Sequence, residues 1–149
     1  NNYNIAKNLT NAFPHPYTKE DAVKFIRMVS QHNPVQVFTI DIDGRASGGI
    51  GIFPQADIMC KNAEMGYWLA EPFWDKGIIT AAIRQMVEYG FKTWDITRIY
   101  ARPFGSNIAS QKVLEKAGFT LEVRFETTIF KNGMFEDELI YAIRKEKSH

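Results

Sequence analysis

The sequence contains little that could form covalent cross-links or bind metals. Cys60 is the single cysteine, so no disulfide can form within the chain. The three histidines, His15, His32 and His149, lie far apart and lack the spacing of metal ligands, so we predict no metal site. No apolar run approaches membrane-spanning length, and no signal peptide is visible. We therefore expect a cytoplasmic protein without a membrane partner.

Excess charge of either sign is also missing. The chain has 18 Lys and Arg against 17 Asp and Glu, a formal net charge of +1. Such a balance does not indicate nucleic acid as the main partner. Hydrophobic residues make up 45% of the 149 residues, which is ordinary for a globular protein. We therefore predict a single domain over residues 1–149.

The N-terminal part of the chain predicts a helix followed by a hairpin. Thr18 and Asp21 have the spacing of a capping box. Apolar residues then recur at helical spacing until Asn33-Pro34: Ala22, Phe25, Ile26 and Val29. Two predicted strands, Val35–Ile42 and Gly49–Phe53, follow on either side of an Asp43-Gly44 turn.

The rest of the chain predicts a strand, a helix, a strand, a helix and a second hairpin. A strand over Ala63–Ala70 ends at Glu71-Pro72, and a helix begins near Gly77. Its predicted apolar face holds five residues: Ile79, Ile83, Met86, Val87 and Phe91. A short strand at 99–101 precedes a helix capped by Ser106 or Asn107 and ended by Gly118. Alternation from Leu121 to Ile129, an Asn132-Gly133 turn and a return strand over Glu136–Ile143 form the last hairpin.

This order of elements predicts an α+β fold. The strand–helix–strand in the middle of the chain predicts a right-handed parallel crossover, and the two hairpins are antiparallel. The sheet is therefore expected to be mixed and mostly antiparallel, with a central parallel strand–helix–strand unit.

The segment between the third strand and its helix has the features of an anion site. Gly77 lets the backbone turn tightly. The first amides of a helix have no partners within it and lie at the positive end of the helix dipole. A diphosphate could accept hydrogen bonds from these amides. An ordinary strand-to-helix turn with a glycine is the alternative that spacing leaves open.

Three separated runs, at 63–70, 74–82 and 106–119, resemble the GNAT superfamily of N-acetyltransferases. Within it, the pattern is similar to the RimJ/RimL-like branch of ribosomal-protein N-terminal acetyltransferases, as are the upstream residues 8–10 and 13–17. The resemblance implies acetyl-CoA as cosubstrate and a GNAT-like fold. Residues 1–149 are expected to lack the family's first strand and the start of its first helix.

The resemblance also implies a set of functional residues. Glu64 matches a carboxylate proposed as general base, Ser110 a position near the thioester sulfur, and the Leu69 amide a donor to the oxyanion. The implied cofactor-binding residues lie along the strand, the loop and the next helix: Trp68, Leu69, Ala70, Trp74, Asp75, Lys76, Gly77, Ile78, Ile79, Thr80, Asn107 and Ser110. The implied acceptor is a primary amine, either a protein N-terminus or a small amine, and relatives are often homodimers.

The sequence departs from the family pattern at four positions. The family loop often has Arg or Gln where Trp74 stands, although Trp is frequent in the RimJ/RimL-like branch. Leu114 stands where many members carry a tyrosine acid, which shifts that role to Ser110 or a water. Asp75 would repel a diphosphate and should point to solvent. Ile79 replaces a usual Gly or Ala and narrows the space beside the cofactor.

Other interpretations of these residues remain open. Glu64 can be a solvent-facing strand residue, and Ser110 a residue of a helix cap. For the whole chain, the alternatives are a non-catalytic CoA-binding sensor or scaffold and an unrelated α+β domain.

Overall fold

The computed structural model describes residues 25–28 and 34–146 of the chain. These residues form one sheet of seven strands and two α-helices. The elements in chain order are β1 (Phe25–Met28), β2 (Val37–Ile42), β3 (Arg45–Pro54), β4 (Asn62–Leu69), α1 (Ile78–Thr93), β5 (Arg98–Ala101), α2 (Ile108–Lys116), β6 (Thr120–Lys131) and β7 (Met134–Arg144). Two short 3-10 helices, Asp57–Met59 and Glu71–Phe73, flank β4.

The sheet has the mixed character that the sequence predicts. The strands lie in the order β1-β2-β3-β4-β5-β7-β6. The pair β4–β5, joined through α1, is parallel, whereas the other five pairs are antiparallel. The predicted α+β class is therefore confirmed.

The helix predicted before Asn33 is wrong where the structure describes it. Phe25–Met28 is a strand that pairs antiparallel with β2, from Phe25 opposite Asp41 to Met28 opposite Phe38. Short apolar runs fit either a strand or a helix, and here pairing with the edge of the sheet decides. The proposed Thr18–Asp21 cap lies outside the described residues.

Helix α1 packs against one face of the sheet. Ile52 of β3 and Ile99 of β5, both fully buried, approach Gly90 of α1 so closely that a Cβ there would lie 2.4 Å from Ile52 Cδ1. Tyr89 packs edge-on against Phe38 of β2, with ring centroids 5.3 Å apart. In the predicted apolar face, Ile83 and Met86 are fully buried. The others are half-buried and pack against this core: Ile79, Val87 and Phe91.

Helix α2 and the last hairpin end as the sequence predicts. Asn107 is the N-cap of α2, and its side-chain oxygen accepts a hydrogen bond from the Ser110 amide. Gly118 follows the helix with a φ of +101°. At the hairpin turn, Asn132 and Gly133 both have positive φ, as a type I′ turn requires.

Glu122 connects two neighbouring strands through ion pairs. Its carboxylate accepts from Arg98 of β5 at 2.8 Å and from Arg144 of β7 at 3.1 Å. The hydrogen bond from Arg98 is the main cause that lowers the pKa of Glu122 below its ordinary 4.5. A lowered pKa in the folded state stabilises the protein above the unfolded-state pKa, and this stabilisation is lost as the pH falls.

We expect Glu122→Gln to lower the free energy of unfolding at pH 7 by about 1 kcal/mol, because the ion pairs are partly exposed. The difference from the wild type should shrink as the pH falls below about 4.5. Urea unfolding of both proteins from pH 3 to pH 7 measures the loss of unfolding free energy and its dependence on pH. Glu88→Gln, in an exposed pair 3.9 Å from Lys92, is the control and should change little. If the difference in unfolding free energy between the wild type and Glu122→Gln did not change with pH, the ionised Glu122 carboxylate would not be its cause.

Candidate active site

A gap opens in the sheet beside the C-terminal half of β4. β4 and β5 pair only from Asn62 opposite Arg98 to Glu64 opposite Tyr100. Beyond Glu64, residues 65–69 of β4 pair with β3 alone among the described strands. We call the space beside residues 65–69, on the edge of β4 where β5 no longer pairs, the β4 gap.

The backbone of Leu69 faces the β4 gap. The next residue, Ala70, donates its amide hydrogen to Ser47 O at 2.8 Å, on the β3 side. Because peptide groups alternate in direction along a strand, the N–H and C=O of Leu69 point the opposite way. The C=O accepts a hydrogen bond from Trp74 Nε1 at 2.6 Å, which ties the loop after β4 to the strand end. The Leu69 N–H therefore points into the gap.

The start of α1 has no capping side chain. Gly77 is the N-cap, with a φ of +76° and no side chain that could accept from the first amides. Gly77 O accepts a backbone hydrogen bond from Ala81 N, at 3.1 Å. A Cβ built on Gly77 would meet nothing within 4 Å, so the described residues leave open space on that side of the helix start. No acidic residue lies in the first turn, so the dipole of the helix start is not neutralised there.

The loop side chains leave this helix start accessible. Trp74, Asp75 and Lys76 are exposed, and Asp75 has a φ of +62°. Ile78 and Thr80 turn their side chains into the core, so only their backbone can meet a ligand at this point. Exposed amides at a helix start form a ready site for a diphosphate. Trp68, on the strand, is also exposed, and its indole lies over Gly49.

Ser110 is held between two partners. Asn107 Oδ1 accepts from its amide at 3.1 Å, so Asn107 is engaged as the helix cap. The hydroxyl of Ser110 lies 2.5 Å from the phenolic oxygen of Tyr67 on β4. Burial raises the pKa of Tyr67, and the contact with Ser110 offsets part of that rise. Tyr67 carries no signal in the sequence, because its partner lies 43 residues away.

Glu64 belongs to a charged cluster with Arg102. Its Oε2 lies 3.2 Å from Arg102 Nε, and its side chain is 31% exposed. Glu138 Oε2 lies 3.6 Å from the same Arg102 nitrogen. Burial raises the pKa of the neighbouring Tyr100, and the charge of Glu64 raises it further. Glu64 is therefore a partly accessible carboxylate held in place by a cation, and the sequence did not predict the Arg102 contact.

Glu64 and Ser110 lie on opposite faces of the sheet. Successive side chains of a strand point to opposite faces, so Met65 and Tyr67 share one face and Glu64 takes the other. Met65 is buried and Tyr67 contacts α2, which identifies their face as the helix side. The Glu64 carboxylate and the Ser110 hydroxyl therefore approach β4 from opposite faces of the sheet.

The described residues were also compared with the expectations about metal sites and membrane-spanning helices. Within residues 25–28 and 34–146, no group of His, Cys, Asp and Glu has the arrangement of a metal site. The three histidines lie outside the described residues. Cys60 is exposed after the first 3-10 helix. Neither described helix is long and apolar enough to cross a membrane.

The chain is similar in sequence to acetyltransferases of two bacteria. YjcK of Bacillus subtilis (strain 168), named a probable N-acetyltransferase, is 36% identical over 107 residues, 72% of this chain and 59% of its own length. The ribosomal-protein-serine acetyltransferase of Escherichia coli (strain K12) is 27% identical over 128 residues, 84% of this chain and 71% of its own. The chain thus spans about three fifths of the length of YjcK.

A solved structure gives a similar result. The microcin C7 self-immunity acetyltransferase MccE, in complex with acetyl-CoA and AMP, superposes with a TM-score of 0.64 at 31% identity. The match covers 73% of this chain and 60% of that one. A family model described as the acetyltransferase (GNAT) domain matches residues 3–120. Because this match covers most of the sequence, the chain belongs to the GNAT acetyltransferase family.

Proposed function

We propose that this chain is an N-acetyltransferase that moves the acetyl group of acetyl-CoA to a primary amine, either a protein N-terminus or a small amine. The observation that carries the proposal is the uncapped start of α1 directly after the β4 gap. The amides of Ile78, Ile79 and Thr80 would hold the CoA diphosphate. The pantetheine arm would lie along Trp68 to Ala70, as the resemblance implies.

The gap would hold the thioester between the two faces of the sheet. In acetyl transfer, the negative charge of the tetrahedral intermediate needs a fixed hydrogen-bond donor, typically worth about 3–4 kcal/mol. The Leu69 N–H faces the gap and is the donor we propose. Ser110, on the helix face, would donate to the leaving sulfur.

Glu64 is the proposed general base on the opposite face. An ammonium has no lone pair, so the acceptor must lose a proton before its nitrogen can attack. Glu64 and Leu69 are separated by about 16 Å along the extended strand β4, so Glu64 would take that proton through water rather than by direct contact. The neutral nitrogen then forms the N–C bond, which gives the tetrahedral intermediate, and this intermediate loses its second N–H proton to water. The C–S bond breaks as the intermediate collapses to the amide, and CoA leaves as a thiolate, a good leaving group because its thiol has a pKa near 8.5.

The named relatives differ in the kind of acceptor that their names indicate. The E. coli relative acts on a ribosomal protein, as its name states, whereas MccE is named for immunity to microcin C7. Both protein and small-molecule amines therefore stay within the proposal. Cytoplasmic location and a homodimeric state are proposed on the family resemblance.

A thiol-release assay with purified protein tests the proposed function. Acetyl-CoA is mixed with a panel of amines that includes peptides with free N-termini and amino sugars, and free CoA is measured. We expect release that depends on one class of acceptor. CoA binding without acceptor-dependent release would favour a sensor or scaffold, and no CoA binding would contradict the cofactor site itself.

A further inference from the structure

A tyrosine hydroxyl lies beside the serine that the proposed function uses. Tyr67 lies two residues before the C-terminal end of β4, on the face that carries α2, and its oxygen is 2.5 Å from Ser110 Oγ. Leu114, at the position of the family's usual tyrosine, is fully buried and has no hydroxyl. A phenol therefore reaches Ser110 from the strand, although the helix position has lost its tyrosine.

The acidities of the two hydroxyls indicate which of them donates in this hydrogen bond. Each hydroxyl has one hydrogen to donate and can also accept. The phenol is the stronger acid of the two, with an ordinary pKa of about 10, and is the better donor. Burial raises the pKa of Tyr67, so the phenol keeps its hydrogen at neutral pH. When Tyr67 donates to Ser110 Oγ, the hydrogen of Ser110 is left for a third group.

We propose that Tyr67 is a positioning residue for acetyl transfer, which donates to Ser110 Oγ and so directs the Ser110 hydrogen toward the sulfur of the leaving CoA. This inference rests on the proposed function, which puts Ser110 near that sulfur. No proton moves from protein to sulfur in this arrangement. The hydrogen bond stabilises the negative charge that develops as the C–S bond breaks, and the released thiolate takes its proton from water.

Kinetics of Tyr67→Phe test the inference, because the change removes one oxygen and keeps the ring. We expect kcat to fall about threefold to tenfold, the value of one hydrogen bond, with the KM for acetyl-CoA within twofold. Ser110→Ala should lower kcat at least as much. The double variant should be no slower than Ser110→Ala, because Tyr67 acts only through Ser110.

Tyr141→Phe is the matched control. Its phenol also ties α2 to the sheet, through a 2.8 Å hydrogen bond to Glu115 Oε2, but at the other end of the helix. It should lower stability and leave kcat unchanged. A wild-type kcat in Tyr67→Phe, additive losses in the double variant, or equal losses of kcat in both Tyr→Phe variants would overturn the inference.

Titration of the CoA thiol in the complex gives a second readout that needs no turnover. Thiolate absorbance in the ultraviolet reports the pKa of bound CoA. We expect this pKa to be about half a unit to one unit higher in Tyr67→Phe than in the wild type, and unchanged in Tyr141→Phe. The same pKa in wild type and Tyr67→Phe would overturn the inference. Absence of CoA release by the wild type would contradict the proposed function alone.

Discussion

Glu64→Gln is expected to lower kcat for amine acetylation by about 10²–10⁴, the usual contribution of a general base. The amide keeps the shape of the side chain but cannot take the proton of an ammonium. The dissociation constant for acetyl-CoA should stay within about twofold, since the proposed diphosphate site lies at the start of α1. Steady-state kinetics and calorimetric titration with acetyl-CoA measure the two quantities.

Glu138→Gln separates base catalysis from simple electrostatics. Both carboxylates lie against Arg102, and each substitution removes one negative charge from the same cluster. If Glu64 is the base, Glu138→Gln should keep kcat within a few fold. Equal losses in the two variants would mean that the cluster attracts the acceptor without either residue being the base, and an unchanged rate in Glu64→Gln would remove it from the mechanism.

Gly77→Ala is expected to weaken acetyl-CoA binding by about tenfold to a hundredfold. The Cβ would stand in the open space before α1, where the diphosphate is proposed to lie, and the φ of +76° strains any residue other than glycine. A displaced diphosphate loses charge-assisted hydrogen bonds of about 1.5–3 kcal/mol each. Calorimetric titration with CoA measures the loss.

Gly133→Ala is the control, because it introduces the same backbone strain at a position away from the proposed diphosphate site. Gly133 also has a φ of +76° and open space around its Cβ, but it lies in the turn between β6 and β7. Both variants should lose similar stability, about 1–2 kcal/mol, and only Gly77→Ala should lose affinity for CoA. Similar affinities for CoA in the two variants would contradict a diphosphate at the start of α1.

Local signals in the sequence predict the elements that position the site. The glycine before α1, the capping asparagine of α2 and the Asn132-Gly133 turn each act within a few residues, so they can be recognised without knowing the fold. The same holds for the alternating strands of the last hairpin. The resemblance to the family then assigns roles to residues that pattern alone leaves ambiguous.

Contacts between distant segments could not be predicted in this way. Tyr67 meets Ser110 across 43 residues, and Glu64 meets Arg102 only because β4 and β5 pair in parallel up to Glu64. The pairing of β1 with β2 likewise overrides the helical spacing around Phe25. Which partner a polar side chain finds depends on strand register, which no single segment encodes.

Backbone NMR with CoA tests the central claim most directly, because it observes the amides at the start of α1 themselves. Assigned ¹H–¹⁵N spectra are recorded while CoA is added to the wild-type protein. We expect the largest amide shifts on residues 74–80, with a further shift at the Leu69 amide. Saturable binding that leaves the amides of residues 74–80 unmoved would contradict it.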